Sequence, residues 1–464
     1  MRSGFWHGID DRIGFSSVLM PILKHPVPRG TGWWYVLGSA TLFSFIVQVA
    51  TGIALATAYV PAASEAYNSL QYITNVALFG RILRGIHDVG GSAMVILIGL
   101  HAMRVFLFGS YKFPREINWL SGVGLLFMTL GMAFTGQLMR WDQNGFWTVV
   151  IIVQQVGRVP WIGTWIAQFL LGGDTVGGAT LSRFFAWHVF WIPALIFGLI
   201  GLHLYLVLHV GISEPPKLGR VVDPAKYRQW YQNHLQREGV PFWPDAAWRD
   251  VVFAVAMISI VVAIAVIFGP ITALTKPPDP TIIDATPRPD WYFVWYFGVL
   301  ALTPPTIEDL VIILGPLCLV ALLIVIPFVG NAGERHPLRR PWTIATCVLV
   351  ILMVGLFTTL GTIAPWSPRF DAPPLSAQVV GTTSGQVAEG AKLFHDRGCE
   401  YCHTIAGNGG LRGPDLTNVA DRLTSDQMTI RILNGGTNMP AFAANLTPQE
   451  TKDLVAFLDT RKQR

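Results

Sequence analysis

Seven long apolar runs dominate the chain, separated by stretches dense in Pro, Gly, Trp and charge. Each is long enough to cross a bilayer, which takes about 20 apolar residues in a helix. They fall near 33–58, 87–108, 118–138, 184–210, 248–270, 307–329 and 342–364. The third is broken by glycines, which suit close packing of membrane helices. The connections 139–183 and 271–306 mix Trp, Pro and Gly with short apolar stretches such as WIGTWIAQFLLGG, the pattern of interfacial helices. The first 30 residues, with WHGIDDRIGF and KHPVPRG, lack the apolar core of a cleavable signal and read as an interfacial segment.

Past residue 366 the pattern changes. SPRFDAPPLSAQVVGTTSG has the composition of a linker. A stretch of mixed polarity follows, closed by TPQETKDLVAFLDTRK. There Thr447, Pro448 and Glu450 form a helix-opening capping box. The predicted fold class is all-α: a polytopic bundle of seven transmembrane helices with a small α-helical C-terminal domain.

Composition supports the membrane assignment. Of 464 residues, 52% are hydrophobic and 13% charged, where ordinary globular chains carry about 25% charged residues. The net charge of +5 sits in short loops, which points to topology and not to nucleic acid. With the N-terminus in the cytoplasm, that side holds Arg2, Arg12, Lys24, Arg29, Lys112 and Arg115. It also holds the basic 211–247 loop and Arg335, Arg339 and Arg340. The opposite loops hold only Arg81, Arg84, Arg140, Arg158, Arg183, Lys276 and Arg288. Positive charge gathers inside, so seven spans place everything after 364 outside.

Cys318 and Cys347 stand alone in apolar helices, but Cys399 and Cys402 stand in CEYCH. C-x-x-C-H is the covalent haem-attachment motif, with His403 reaching the iron from one face. Of the downstream methionines, Met428 lies in a helical pattern that suits core packing. Met439, in the loop GGTNMPAF ahead of Pro440, is the expected second axial ligand. A zinc site would need a second ligand pair and a redox C-x-x-C a βαβ context; neither is present.

Two histidine pairs lie inside apolar runs, where an ionisable residue marks function. His87 and His101 are fourteen apart in IHDVGGSAMVILIGLH, and His188 and His203 fifteen apart in the fourth run. Such spacings give roughly 21–23 Å along a helix and return to within roughly 40–60° of one face. Pairing equal depths sets His87 with His188 and His101 with His203. Two bis-histidine sites suit two non-covalent b-type haems, whereas two histidines do not complete a zinc site. His209, at a helix end, is expected to be interfacial. Gly38 and Gly52, and Gly122 and Gly136, share the fourteen-residue spacing and are expected to make room for flat rings.

At this point the residues resemble a family. FIVQVATGIALA, LQYI, the His87/His101 helix, FPREINWLSGVG, WDQNGFW, TLSRFFAWH and HVGISEPP are similar to photosynthetic-type cytochrome b of Rieske/cytochrome b complexes. Residues from about 240 to 366, with Pro289-Asp290-Trp291-Tyr292, resemble subunit IV, which is a separate chain in chloroplast complexes. The C-terminal stretch resembles a class I cytochrome c. The implied domains are a dihaem cytochrome b domain (1–215), a subunit IV-like quinol-site domain (216–366), a linker (367–385) and a cytochrome c domain (386–464).

The resemblance implies a membrane quinol–cytochrome c reductase subunit. Quinol would be oxidised at the outer face with a Rieske iron–sulfur partner. One electron would pass to the Rieske centre and the haem at Cys399/Cys402. The other would cross from the His87/His188 haem to the His101/His203 haem and reduce quinone, with proton translocation. Asp290 would accept a quinol proton, and Tyr292 would hydrogen-bond the quinol or the Rieske domain. Arg84 and Arg104 would pair with haem propionates or anchor at the interface. The resemblance further implies a cytochrome c or other high-potential acceptor, the quinone pool, a homodimer and a bacterial cytoplasmic membrane. An alternative is a dihaem anchor passing quinol electrons to a periplasmic enzyme without bifurcation; it leaves PDWY and the seven spans unexplained.

Three departures stand out. Val36 occupies the place of the cysteine that would hold an extra haem, so none is expected there. Met139-Arg140-Trp141 replaces the more frequent Leu-Pro-Trp, placing an arginine at the quinol pocket's edge. Asp replaces the more frequent Glu in PDWY.

Overall fold

The computed structural model describes residues 2–463 except 174, 280–287, 305, 364–368, 370–371 and 436–438. The boundary expected at 366–367 and the middle of the GGTNMPAF loop lie outside the described residues. Among the described residues seven helices are long and apolar enough to cross a membrane. They are Leu37–Ala56, Gly80–Leu107, Glu116–Leu138, Gly178–Val210, Phe242–Phe268, Glu308–Val329 and Pro341–Thr362, here the first to seventh spans. In lipid the backbone has no water to bond, so each segment satisfies its own N–H and C=O groups as helix.

The second span departs from the sequence expectation. It opens at Gly80, two turns before His87, so Arg81 and Arg84 lie on the helix and not in a loop. A side chain at 80 would put its Cβ 2.0 Å from the Ile73 carbonyl, which only glycine avoids. Arg84 tolerates burial because Nη1 donates to Thr74 Oγ1 and Nη2 to the Thr272 carbonyl. Arg183 likewise lies on a helix, Gly178–Ala186.

The fourth span contains a π turn, Trp187–Trp191, between the helices Gly178–Ala186 and Ile192–Val210. The Ile192 N–H bonds the Trp187 carbonyl, five residues back instead of four. Pro193, one residue on, has no N–H with which to continue the regular ladder. His188 lies in this turn, so the extra residue in its fifteen-residue spacing is taken up by the wider coil.

The packing forms two compact units, residues 1–278 with 304–354, and 279–303 with 355–464. In the first, the core gathers around Leu138, Trp141, Leu181 and Phe184. The connection after the third span carries the helices Gln143–Gly157 and Gly163–Leu171. Polar contacts stitch the first four spans to the later ones. At one end Arg335 Nη1 lies 2.9 Å from Glu214 Oε2, both side chains nearly fully buried. Tyr227 donates to the same carboxylate oxygen at 2.7 Å, and Arg115 donates to Tyr227 at 2.9 Å. At the other end Asp88 accepts from the Thr272 N–H and hydroxyl, and Asp142 from the Thr275 N–H.

The second unit holds the soluble-type helices Gln386–Asp396, Cys399–Cys402, Ser425–Asn434 and Pro448–Asp459. The first and last nearly touch: a Cβ at Gly390 would lie 2.0 Å from the Asp453 carbonyl. Phe394 and Phe457 meet beside them, ring centres 5.8 Å apart. Thr447 and Glu450 cap the last helix as a capping box.

Candidate functional site

The second and fourth spans bring the His87 and His188 rings together edge-on, ring centres 6.2 Å apart and planes at 76°. A hydroxyl fixes each ring. Thr51 Oγ1 lies 2.9 Å from His87 Nδ1, and Thr135 Oγ1 lies 3.0 Å from His188 Nδ1. Each threonine spends its own hydrogen on a carbonyl of its own helix, Val47 for Thr51 and Gly131 for Thr135. The oxygen lone pair therefore accepts from the imidazole N–H, which leaves both Nε2 atoms as acceptors. Metal–imidazole bonds are roughly 2 Å, so one metal between two such nitrogens sets the ring centres roughly 6 Å apart. The observed separation fits.

His101 and His203, on the same two spans, are the second expected pair. Ser121 Oγ lies 2.8 Å from His203 Nδ1 and donates its hydrogen to Asn118 O. The four glycines each face one imidazole. A Cβ would lie 3.1 Å from His101 Cε1 at Gly38, 3.2 Å from His87 at Gly52, 3.5 Å from His203 at Gly122 and 2.9 Å from His188 at Gly136. Three of them follow a hydroxyl residue directly: Thr51-Gly52, Ser121-Gly122 and Thr135-Gly136. Sequence reasoning noted the glycines and missed the hydroxyls, although the repeated dipeptide was visible. Among the described residues no group of three or more His, Cys, Asp or Glu gathers as a metal site. A haem brings its own four nitrogens, so two imidazoles fill its remaining positions.

Beside the second pair, Arg104 lies over the Tyr35 ring at 3.7 Å, its Nε and Nη2 buried without an acceptor. Such donors suit an anionic group. A cavity of about 400 Å³ opens there, lined by Trp34, Tyr35, Phe108, Pro215 and His336. Val36, directly before the first span, is buried. Ser39, next to Gly38, hydrogen-bonds the Asp250 carboxylate. Arg84, by contrast, is committed to Thr74 and Thr272. His209 stacks on Tyr205, ring centres 5.7 Å apart.

In the second unit the Tyr292 hydroxyl donates to Asp290 Oδ2 at 2.8 Å. Asp290 precedes the 3-10 turn Trp291–Phe293, so its carboxylate and the Tyr292 ring share one turn of chain.

Cys399 and Cys402 stand at the two ends of a one-turn helix, and His403 follows in extended backbone. Burial pushes the Cys399 thiol up to about 12 and raises that of Cys402 as well. His403 Nδ1 donates to the Pro414 carbonyl at 2.8 Å, leaving Nε2 as a lone-pair donor. Burial holds this imidazole below its ordinary value and hence neutral. A Cβ at Gly413 would lie 2.6 Å from the ring, so that position admits no side chain. Met428 is 2% exposed in the hydrophobic core, whereas Met439 is only partly buried at its edge.

Comparison with known proteins matches these parts. The family described as Cytochrome b(N-terminal)/b6/petB matches residues 92–277, and Cytochrome b(C-terminal)/b6/petD matches 277–373. Cytochrome c matches 387–462. The menaquinol:cytochrome c reductase cytochrome b subunit of Bacillus subtilis is 37% identical over 223 residues, 46% of this chain and 100% of that protein. Cytochrome b6 of Heliobacterium mobile is 39% identical over 209 residues, 45% of this chain and 98% of that protein. A chain of a hyperthermophilic respiratory complex III has the same fold, with TM-score 0.65 at 23% identity over 85% of this chain and 94% of that one. With the His87–His188 pair and the CEYCH turn, these matches show that the chain belongs to the cytochrome b family, its N-terminal and C-terminal parts joined in one polypeptide with a cytochrome c domain after them.

Proposed function

We propose that this chain is the cytochrome b/c subunit of a membrane quinol:cytochrome c-type oxidoreductase, with domains at 1–215, 216–366, 367–385 and 386–464. The observation that carries the reading is the His87–His188 pair, 6.2 Å between ring centres, one helical traverse from His101 and His203 in the same spans. His87 and His188 would hold a b haem near the outer face, and His101 and His203 a second near the cytoplasmic face. Cys399 and Cys402 would bind a c haem covalently, with His403 and Met439 as axial ligands. Bound haem supplies reversible one-electron carriage with no coordination position left open.

The chain's own residues do the rest. Tyr292 donates to Asp290 Oδ2 and holds that carboxylate in place to accept the quinol proton. Rotation of the Asp290 side chain then moves that proton outward. With haem bound at the histidine pairs and a Rieske iron–sulfur partner present, one electron would pass to the cytochrome c domain and the other between the two histidine pairs. The cavity beside Tyr35 takes the quinone reduced on the cytoplasmic side, with Asp250 close to the second pair as a proton relay. The setting is a bacterial cytoplasmic membrane, with the N-terminus inside and the cytochrome c domain outside. The complex is a homodimer that draws on the quinone pool and delivers to a cytochrome c or other high-potential acceptor. Pyridine haemochrome analysis should find two b haems and one c haem per chain, and the active complex should show a Rieske EPR signal. An active complex without that signal would leave the non-bifurcating dihaem anchor instead.

A further inference from the structure

Arg140 lies just past the end of the third span, four residues beyond Gly136, the glycine against which the His188 ring rests. It is buried, 9% exposed, between Leu138 and Asp142, both at 0%. A guanidinium carries five N–H donors and no acceptor, and a buried one needs oxygen partners. Arg140 Nε and Nη2 are both buried without a hydrogen bond. The nearest carboxylate, Asp142, is 3.9 Å from Nε, beyond hydrogen-bond reach. Asp142 is already engaged, accepting from the N–H groups of Gly145 at 2.8 Å and Thr275 at 3.0 Å.

The same end of the unit holds His87. Asp88, its neighbour, binds Thr272, and three residues on Thr275 binds Asp142. Arg84, on the second span, already donates from Nη1 to Thr74 Oγ1 and from Nη2 to the Thr272 carbonyl. Arg140 is therefore a cation four residues from the glycine that faces His188, with Nε and Nη2 unfilled among the described residues. Nε and Nη2 form the side-on fork of the guanidinium. Two parallel donors match a carboxylate, whereas a quinol oxygen offers a single neutral acceptor.

We propose that Arg140 binds an ionised propionate of the haem held by His87 and His188 and raises that haem's reduction potential. The proposal rests on the reading of that pair as a b-haem site. A fixed positive charge in a low-dielectric setting favours the form with one more electron. The second histidine pair, a helical traverse away, feels far less of it.

The test is a potentiometric titration of the two b haems and the c haem in the purified full-length complex. Arg140→Gln should raise the oxidised-to-reduced ratio of the outer b haem about tenfold at fixed ambient potential, a midpoint about 59 mV lower for a one-electron couple. Arg140→Lys, which keeps the charge, should stay within about threefold, and the inner b haem and c haem should not move. An unmoved outer midpoint, or an equal shift of both b haems, would overturn the proposal. So would a raised KM for quinol with the midpoint unmoved, which assigns the fork to the substrate. If Arg140→Gln fails to retain haem, the redox-difference infrared spectrum of the unaltered protein with isotopically labelled propionates decides. An ionised-carboxylate band that shifts with outer-haem reduction is expected, and a protonated-carboxyl band overturns the proposal. Absence of two b haems from the unaltered protein would instead sink the parent reading.

Discussion

Thr135 Oγ1 lies 3.0 Å from His188 Nδ1, and its own hydrogen is spent on the Gly131 carbonyl at 2.9 Å. The hydroxyl is thus an acceptor that makes the imidazole more electron-rich. Thr135→Val removes that acceptor from the buried imidazole N–H. Haem affinity should fall by roughly 10–100-fold, as for other residues that orient a metal ligand. The haem that remains should have a higher midpoint, because a less basic ligand stabilises the oxidised iron less. Haem content and a redox titration check both, and an unchanged midpoint would count against the hydroxyl's role.

The glycines should rank by clearance. A Cβ would lie 2.9 Å from the ring at Gly136, 3.1 Å at Gly38, 3.2 Å at Gly52 and 3.5 Å at Gly122. Gly136→Ala should lose most of one b haem, Gly38→Ala and Gly52→Ala less, and Gly122→Ala little. Gly131→Ala, whose Cβ would meet Ile192 at 3.9 Å, is the control on the same helix. Pyridine haemochrome reads the series.

Asp290→Asn should slow quinol oxidation by about 10²-fold with all haem spectra unchanged, the size of effect expected when a proton acceptor is removed. Tyr292→Phe loses one hydrogen bond to a carboxylate, worth about 1.5–3 kcal/mol, so a fall of roughly tenfold or more is expected. Loss of b haem in either variant would mean a structural role. Steady-state turnover with a soluble quinol, set against reduced spectra, separates the two.

Met439→Leu should abolish the methionine–iron charge-transfer band of the c haem and lower its potential. Met428→Leu should leave the band in place and cost less than about 1.5 kcal/mol, as a volume-conserving core exchange does. The core position of Met428 beside Phe394 and Phe457 underlies the difference.

Glu450 supplies a pH test. Its carboxylate accepts from the Thr447 N–H at 2.7 Å and from Arg397 at 2.6 Å, which together hold it down to about 2. An unfolded glutamate titrates near about 4.3. The folded value is depressed, so its contribution is complete above about 4.3 and is lost as pH falls toward 2. Glu450→Gln should lower the melting temperature of the cytochrome c domain at pH 7, and the difference should vanish near pH 2. Thermal melts followed at the c-haem band give the answer.

The seven spans were legible because an apolar run of bilayer length admits one local structure. The C-terminal domain was legible because CEYCH is compact and its chemistry is specific. What escaped was anything that depends on a neighbouring helix. Arg84 looked like a loop cation, since the Thr74 and Thr272 oxygens that let it sit in a helix come from elsewhere in the chain. Thr51, Ser121 and Thr135 looked like ordinary small polar residues, and only the packing sets them against imidazoles. The fifteen-residue spacing of His188 and His203 left a phase difference from the fourteen of His87 and His101. The π turn at Trp187–Trp191 absorbs it, and no periodicity argument could have located that turn.

The seam around Glu214, Arg335, Arg115 and Tyr227 has a consequence for assembly. Relatives such as the Bacillus subtilis protein align along their full length with only 46% of this chain. Here the partners of that seam are on one polypeptide. A polar interface between separate chains would depend on concentration and weaken with salt. Tethering turns the encounter into an intramolecular event at millimolar effective concentration. Fusion also fixes stoichiometry at translation: every set of histidine-bearing spans emerges with one three-helix complement, and neither can accumulate as an orphan.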